Sequence, residues 1–292
     1  MNILTFDIEE WYLEKTFNGD RKDKYTEYDA YLDKILLLLN EIGKRATFFC
    51  VGKMATEFPD VIKKIANQGH EIGCHSNFHA WLNKMTKEEA RQDTREAVDS
   101  LEQCVGSKIK SYRAPAFSIG ENNKWLFEIF AECGIERDSS IFPATRDFGG
   151  FSSFGYKEPV WISYNGIQIK EYPICTAKLL GKEFAYSGGG YFRFFPLWFI
   201  KKEMKMSNYS ICYFHIGDLL PDINGIMSRK EYEEYFKEDG SMINRYKRYI
   251  KSNLGKKRAW NKLEKMVITN DFFNLDEIDK IIDWKKCPIK VL

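Results

Sequence analysis

Four histidines occur in the chain, at positions 70, 75, 79 and 215, and three of them fall within ten residues. His75 and His79 are four apart and directly follow a short apolar run, Ile72 to Cys74, that suits a strand. If the backbone turns at His75, with Ser76 fixing the turn, both imidazoles enter one pocket. Neutral imidazole is the commonest metal ligand. A catalytic zinc typically takes three protein ligands and keeps one position open for water. Taken alone, the pair reads more readily as two ordinary surface or core histidines. His70 reads as structural. Acids supply the rest of the set. Asp7, Glu9 and Glu10 close the strand that begins at Ile3. Strand geometry puts residues 7 and 9 on one side and residue 10 on the other. One acid with His75 and His79 could hold a divalent cation, which lowers the pKa of bound water and polarises a carbonyl. The second acid can take a proton from that water, and His215, at another strand end, can protonate a departing amine. Arg113 can pair with the base carboxylate and keep it ionised. The chemistry this set suits is hydrolysis.

Strands and helices in alternation must carry these side chains. Strands are expected over residues 3–7, 46–51, 71–75, 110–115 and 136–139. Helices at 28–42, 58–67, 86–104 and 124–133 separate them, and residues 13–26 read as loop. Glycines 43, 69 and 134 follow three of the helices, and Thr86 with Glu89 forms a capping box at the start of another. Such alternation predicts parallel β/α units in an open sheet or a barrel. Both architectures place sites at the C-terminal ends of strands. Asp7, Glu9, His75, His79, Arg113 and Asp138 all fall there. The second half is less regular. Asn165-Gly166 predicts a hairpin over 159–174, a Gly run at 188–190 precedes Tyr191 and Arg193, and a strand at 209–215 ends in His215. Helices are expected at 196–206, 229–252, 262–266 and 276–284. One domain, 1–292, is expected.

The 292 residues can bury a sizeable core. A net charge of +2 demands no nucleic acid or acidic partner. Seven cysteines, an odd count with no CxxC pair, read as reduced thiols of a cytoplasmic protein. The N-terminal residues lack the features of a signal peptide, and no apolar run approaches the ~18 residues of a membrane span. The basic run Gly255 to Arg258 reads as a solvated face or as peripheral contact with an anionic membrane.

With these motifs in order, the chain resembles the polysaccharide deacetylase family (NodB homology, carbohydrate esterase 4) over residues 2–218. Thr5-Phe6-Asp7 resembles the first motif. His75-Ser76 with His79 matches the second, Arg113, Pro115 and Phe117 the third, and Tyr213-Phe214-His215 the last. Asp138 to Pro143 and Gly188 to Arg193 resemble a branch with a C-terminal extension, here 219–292, linked to exopolysaccharide or lipopolysaccharide synthesis. The resemblance implies an α/β fold, a distorted (β/α)7 barrel with a C-terminal helical extension. It implies metal-dependent removal of N-acetyl groups from amino sugars of a glycan or glycan precursor. Asp7 would be the base, supported by Arg113, and His215 the acid. Glu9, His75 and His79 would be the ligands of a divalent metal, zinc first, with cobalt, nickel or manganese as alternatives. Residue 8 is Ile where the common motif has a second Asp, so Glu9 takes that place. The fourth motif also departs, because no Trp follows Asp138. Substrate contacts are expected from Pro115, Phe117, Asp138, Tyr191 and Arg193, and a polymer groove from Trp11, Trp81 or Trp161. Competing readings are an amidase for small non-glycan substrates and an inactive glycan-binding protein. A cytoplasmic setting implies a lipid- or nucleotide-linked carbohydrate.

Overall fold

A computed structural model describes residues 1–145, 149–179, 181–222, 225–236 and 238–292. In the first half each strand is followed by helix. β1 (Asn2–Ile8) precedes α1 (Glu10–Asn18) and α2 (Lys22–Glu41). β2 (Thr47–Cys50) precedes α3 (Met54–Glu57) and α4 (Pro59–Asn67). β3 (Glu71–Cys74) leads to α5 (Lys87–Val105), β4 (Ser111–Tyr112) to α6 (Leu126–Glu132), and β5 (Arg137–Asp138) ends the series. Two hairpins follow, β6 (Val160–Tyr164) with β7 (Ile167–Glu171) and β8 (Thr176–Leu179) with β9 (Lys182–Ala185). Next come α7 (Gly189–Phe194), α8 (Leu197–Met206), β10 (Ser210–His215) and α9 (Ile216–Leu219). The chain continues through α10 (Arg229–Phe236), α11 (Met242–Asn253), α12 (Lys256–Thr269) and α13 (Leu275–Ile281) to β11 (Ile289–Val291).

Seven strands stand parallel in the order β10–β1–β2–β3–β4–β5–β7. Every residue of β2, and all of β1 past Asn2, is buried. Strands covered on both faces read as continuous apolar runs, which is why these were legible. On α2 the buried positions Leu32, Ile35, Leu36 and Leu39 recur at helical spacing and face the sheet. The Thr86–Glu89 capping box starts α5 as expected, and Gly106 ends it at φ +71°, a left-handed conformation that glycine adopts without strain.

No ladder joins β7 to β10 among the described residues, and closure there rests on side chains. Tyr209 Oη donates to Pro173 O at 2.9 Å, Ile211 N to Cys175 Sγ at 3.1 Å, and Ser187 Oγ to Ile211 O at 2.7 Å. A single parallel bridge pairs Gly188 with Tyr213. This is the distorted (β/α)7 barrel, with β6 and β11 added outside β7.

Three expectations change. Residues 13–26 are not loop but most of α1 and the start of α2. Trp11 and Glu14 form the buried face of α1, with Tyr28 Oη donating to Glu14 at 2.8 Å. The surrounding charges hide that short amphipathic stretch. The helix expected over 229–252 is two, α10 and α11; Lys237 lies outside the described residues, and Ser241 caps α11 by accepting from Asn244 N. Of the tryptophans expected in a groove, Trp11 is core and Trp161 packs edge-on against Trp284 at 5.2 Å.

Candidate active site

The C-terminal ends of β1, β3, β4 and β10 converge on one cavity. Parallel register sets Asp7 of β1 beside His215 of β10. Glu9 follows β1 by one residue, on the side of Asp7. Its Oε2 lies 2.7 Å from His79 Nε2 and 3.4 Å from His75 Nε2. That oxygen is buried yet takes no aligned hydrogen bond. The ligand atoms of Glu9, His75 and His79 all lie within 4.8 Å of one another.

Local structure explains how the two imidazoles meet. His75 N donates to Cys50 O at 2.9 Å, which continues the β2–β3 ladder for one residue beyond the strand. The chain then turns sharply, with Ser76 at φ +63° and His79 at φ +54°. Positive φ in residues other than glycine is strained, and the surroundings must hold it. Asp93 of α5 does so by accepting from Asn77 N at 2.9 Å, and Ser76 Oγ accepts from Ala80 N at 3.2 Å. His75 Nδ1 lies 2.7 Å from Arg113 O. A ring N–H donated to that carbonyl leaves Nε2 as a lone pair aimed at Glu9.

Arg113 is fully buried. Its Nη1 donates to Asp7 Oδ1 at 2.8 Å and Thr5 Oγ1 at 2.7 Å; Nε and Nη2 go to Ser139 O and Oγ. The guanidinium also lies 4.3 Å from the Phe49 ring centre. Asp7 Oδ2 is left facing His215 Nε2 at 3.7 Å. On its other side, His215 Nδ1 sits 2.9 Å from Asp218 Oδ2.

These contacts set the charges. Burial alone would raise the Glu9 carboxyl, but His79 and His215 outweigh it and hold it well below the carboxylate range. Burial opposes a charged His215, yet Glu9, Asp218 and Asp7 push its pKa well above the ordinary histidine value. Glu10, expected to face away, turns back and accepts from Gly217 N at 2.7 Å. Burial, then the charge of Glu9, raises its carboxyl to about 7.

Residues 3–137 match the family model described as polysaccharide deacetylase. This first half of the chain is similar to that family. A second model, described as a domain of unknown function (DUF3473), matches residues 139–280. Over 99 residues the chain is 37% identical to a peptidoglycan-N-acetylglucosamine deacetylase of Bacillus cereus, covering 34% of this chain and 36% of that one. It is 27% identical over 104 residues to a peptidoglycan-N-acetylmuramic acid deacetylase of Bacillus subtilis, covering 33% and 40%. The chain spans less than half the length of these curated relatives. A crystal structure of a proposed polysaccharide deacetylase from Mycobacterium smegmatis matches with a TM-score of 0.63 at 17% identity. It covers all of this chain and 92% of that one, which supports the fold alone.

The boundary between the two matched stretches falls at the end of β5, inside the barrel. Asp7, Glu9, His75, His79 and Arg113 lie in the first stretch. His215 and Asp218 lie in the second, brought back because β10 pairs with β1. The cavity, about 680 Å³, is lined by Asp7, His75, His79, Phe117, Tyr191, Tyr213 and His215. Arg248, Lys251 and Ser252 of α11 complete the wall.

Other expected site residues lie differently. Pro115 is buried behind the lining residues Ala114 and Ala116. Asp138 is off the cavity, accepts from Ser140 Oγ and shares a buried pocket with Glu171. Arg193 borders the cavity, but its charge is already matched. Nε lies 3.1 Å from Asp218 Oδ1, and the guanidinium donates to the carbonyls of Ser252 and Lys251. Trp81 is not among the lining residues, and Phe117, Tyr191, Phe184 and Phe195 supply the aromatic walls. Asp218 had no assigned role. The available signal was an acid three residues after a strand-end histidine, the spacing that lets it accept from His215 N at 3.2 Å as a helix cap does.

Proposed function

We propose that this chain is a metal-dependent hydrolase that removes N-acetyl groups from amino sugars of a glycan or glycan precursor. The observation that carries this reading is the convergence of Glu9, His75 and His79 between the Asp7–Arg113 pair and the His215–Asp218 pair. The donor set fits a divalent cation of the zinc type: two imidazole nitrogens, that of His75 with its tautomer fixed by Arg113 O, and a buried carboxylate oxygen without an aligned hydrogen bond. Zinc is the first choice, with cobalt, nickel or manganese as alternatives. When bound, the cation supplies Lewis acidity toward a water and the amide carbonyl.

The chain's own groups do the proton work. Asp7 is the base. Arg113 holds its Oδ1, so Oδ2 is the oxygen that takes the proton of the attacking water. His215 is the acid, and its Nε2 delivers a proton to the leaving amine nitrogen. Asp218 anchors Nδ1, which fixes the ring and keeps it charged. Phe117, Tyr191 and Tyr213 form apolar walls for the sugar ring. The wall built from α11, with Arg248 and Lys251, favours a short anionic substrate, lipid- or nucleotide-linked, over a long neutral polymer. The whole of 1–292 is read as one working unit, because the acid and the ligands come from opposite halves.

The test measures metal content and acetate release together, on the wild type and His79→Ala, with chitin oligosaccharides and a lipid-linked amino sugar as substrates. Stoichiometric metal and acetate in the wild type, both lost in the variant, support the reading. A wild type that takes up no metal after reconstitution overturns it.

A further inference from the structure

α11 is unlike the other helices. None of its residues is buried. Along one side it exposes Ile243 (68%), Tyr246 (51%) and Ile250 (46%), and Leu254 (47%) continues the line just past its end. At 100° per residue these four positions fall within about one quarter of the helix circumference. Met242 borders them, 58% exposed. A stripe of large apolar side chains left in water marks a surface made to be covered.

Along α11 and the start of α12 the charges are of one sign. From Met242 to Arg258 the sequence has Arg245, Lys247, Arg248, Lys251, Lys256, Lys257 and Arg258, and no Asp or Glu. The whole chain is nearly balanced, with 44 basic and 42 acidic residues. Lys247 and Lys251 lie between the apolar stripe and the side of the helix whose Arg248 and Ser252 wall the cavity. Beside the end of α11, Arg193 donates to the carbonyls of Lys251 and Ser252, and its neighbour Phe194 is 64% exposed and lines the cavity. An exposed apolar stripe flanked by lysines and arginines suits the interface of an anionic bilayer. A protein partner would need an acidic, apolar face of its own. No helix among the described residues is long and apolar enough to cross a membrane.

We propose that α11 docks this protein in the plane of an anionic membrane, with Ile243, Tyr246, Ile250 and Leu254 entering the headgroup boundary. Because the same helix walls the cavity, docking holds the cavity mouth at the level of lipid headgroups. For its substrate this deepens the deacetylase reading, which then favours a lipid-anchored amino sugar. For its docking it stands alone.

The test is co-sedimentation of the full chain with phosphatidylglycerol/phosphatidylcholine vesicles and with pure phosphatidylcholine, at low and high salt. The wild type is expected to partition onto the anionic vesicles and to be released by salt. The double variant Ile243→Asp, Ile250→Asp and the charge variant Lys247→Glu, Lys257→Glu should each weaken partition by about tenfold or more. Melting curves check that both are folded. Hydrogen exchange of the wild type gives a readout that needs no variant: amides of residues 242–254 should slow when anionic vesicles are added. Equal binding to both vesicle types, unchanged binding of the variants, or unchanged exchange overturns the proposal. So does a vesicle-free dimer that the Ile243, Ile250 double variant converts to monomer, which would give the face to a second copy. Acetate release is not a readout here, so failure leaves the hydrolase reading untouched.

Discussion

His215 Nδ1 lies 2.9 Å from Asp218 Oδ2, and the other oxygen of Asp218 lies 3.1 Å from Arg193 Nε. This line runs from the proposed acid outward to the carbonyls at the end of α11. The proposed proton donor is therefore oriented by the second half of the chain, through Asp218 and Arg193, while the proposed ligands are oriented by the first half of the barrel.

Asp218→Asn should cut kcat by about 10- to 100-fold with little change in KM, a part of the ~10²–10⁴ that general acid catalysis supplies in full. Asp218 helps keep His215 protonated well above its usual range. An acid works only while protonated, so losing that charge moves the alkaline limb of the kcat profile to lower pH. An unmoved limb would remove Asp218 from the proposed role.

Arg193→Met breaks the next link. It leaves the ligands in place, so metal content should match the wild type. Asp218 loses one of its two cationic partners and the end of α11 loses two hydrogen bonds, so kcat and melting temperature should both fall. Breaking a buried pair by removing one partner costs about 3–5 kcal/mol. Metal loss equal to that of His79→Ala would contradict this division of labour.

Metal removal should be visible as stability. A ligand that binds only the folded chain stabilises it, by about 4 kcal/mol when present at a thousandfold over its Kd. Chelation should lower the melting temperature of the wild type and leave that of His79→Ala where it is. The reading requires that difference between the two calorimetric scans.

Beneath the cavity, Asp138 and Glu171 form a buried carboxyl pair. Burial raises Asp138 to about 6, and burial with the charge of Asp138 raises Glu171 well above its usual value. The sign follows from proton counts. As pH rises from about 4 to 6, the unfolded chain releases protons that the folded pair keeps, so stability declines across that window. Glu171→Gln mimics the protonated partner and keeps an acceptor for Ile141 N, which Glu171 Oε1 now serves at 3.1 Å. The variant should match the wild type near pH 4 and exceed it near pH 8 by roughly 1–3 kcal/mol. Urea melts at the two pH values decide it.

What could be read in advance was periodic or local. Strand period put Glu9 beside Asp7, and His75 with His79 announced themselves by scarcity and spacing. One capping box and three closing glycines outlined the helices of the first four β/α units. The rest depends on pairings far apart in sequence. Arg193 could be named as a cation, but its partner Asp218 and the carbonyls of α11 left no local trace. Glu10 was assigned by strand alternation, yet the strand stops at Ile8 and the rule no longer applies. The closure between β7 and β10 uses a tyrosine hydroxyl, a thiol and one isolated bridge, none of which has a repeat to detect.

The return of β10 to β1 also orders events during synthesis. Asn2 pairs with Ser210 and Asp7 with His215, and Phe273 N reaches back to Asn2 O at 3.0 Å. During synthesis β1 keeps that edge open until some two hundred further residues have emerged, a long loop to close. A nascent chain stopped at β5 already holds Glu9, His75 and His79. It lacks His215, so the three proposed ligands are synthesised long before the proposed acid.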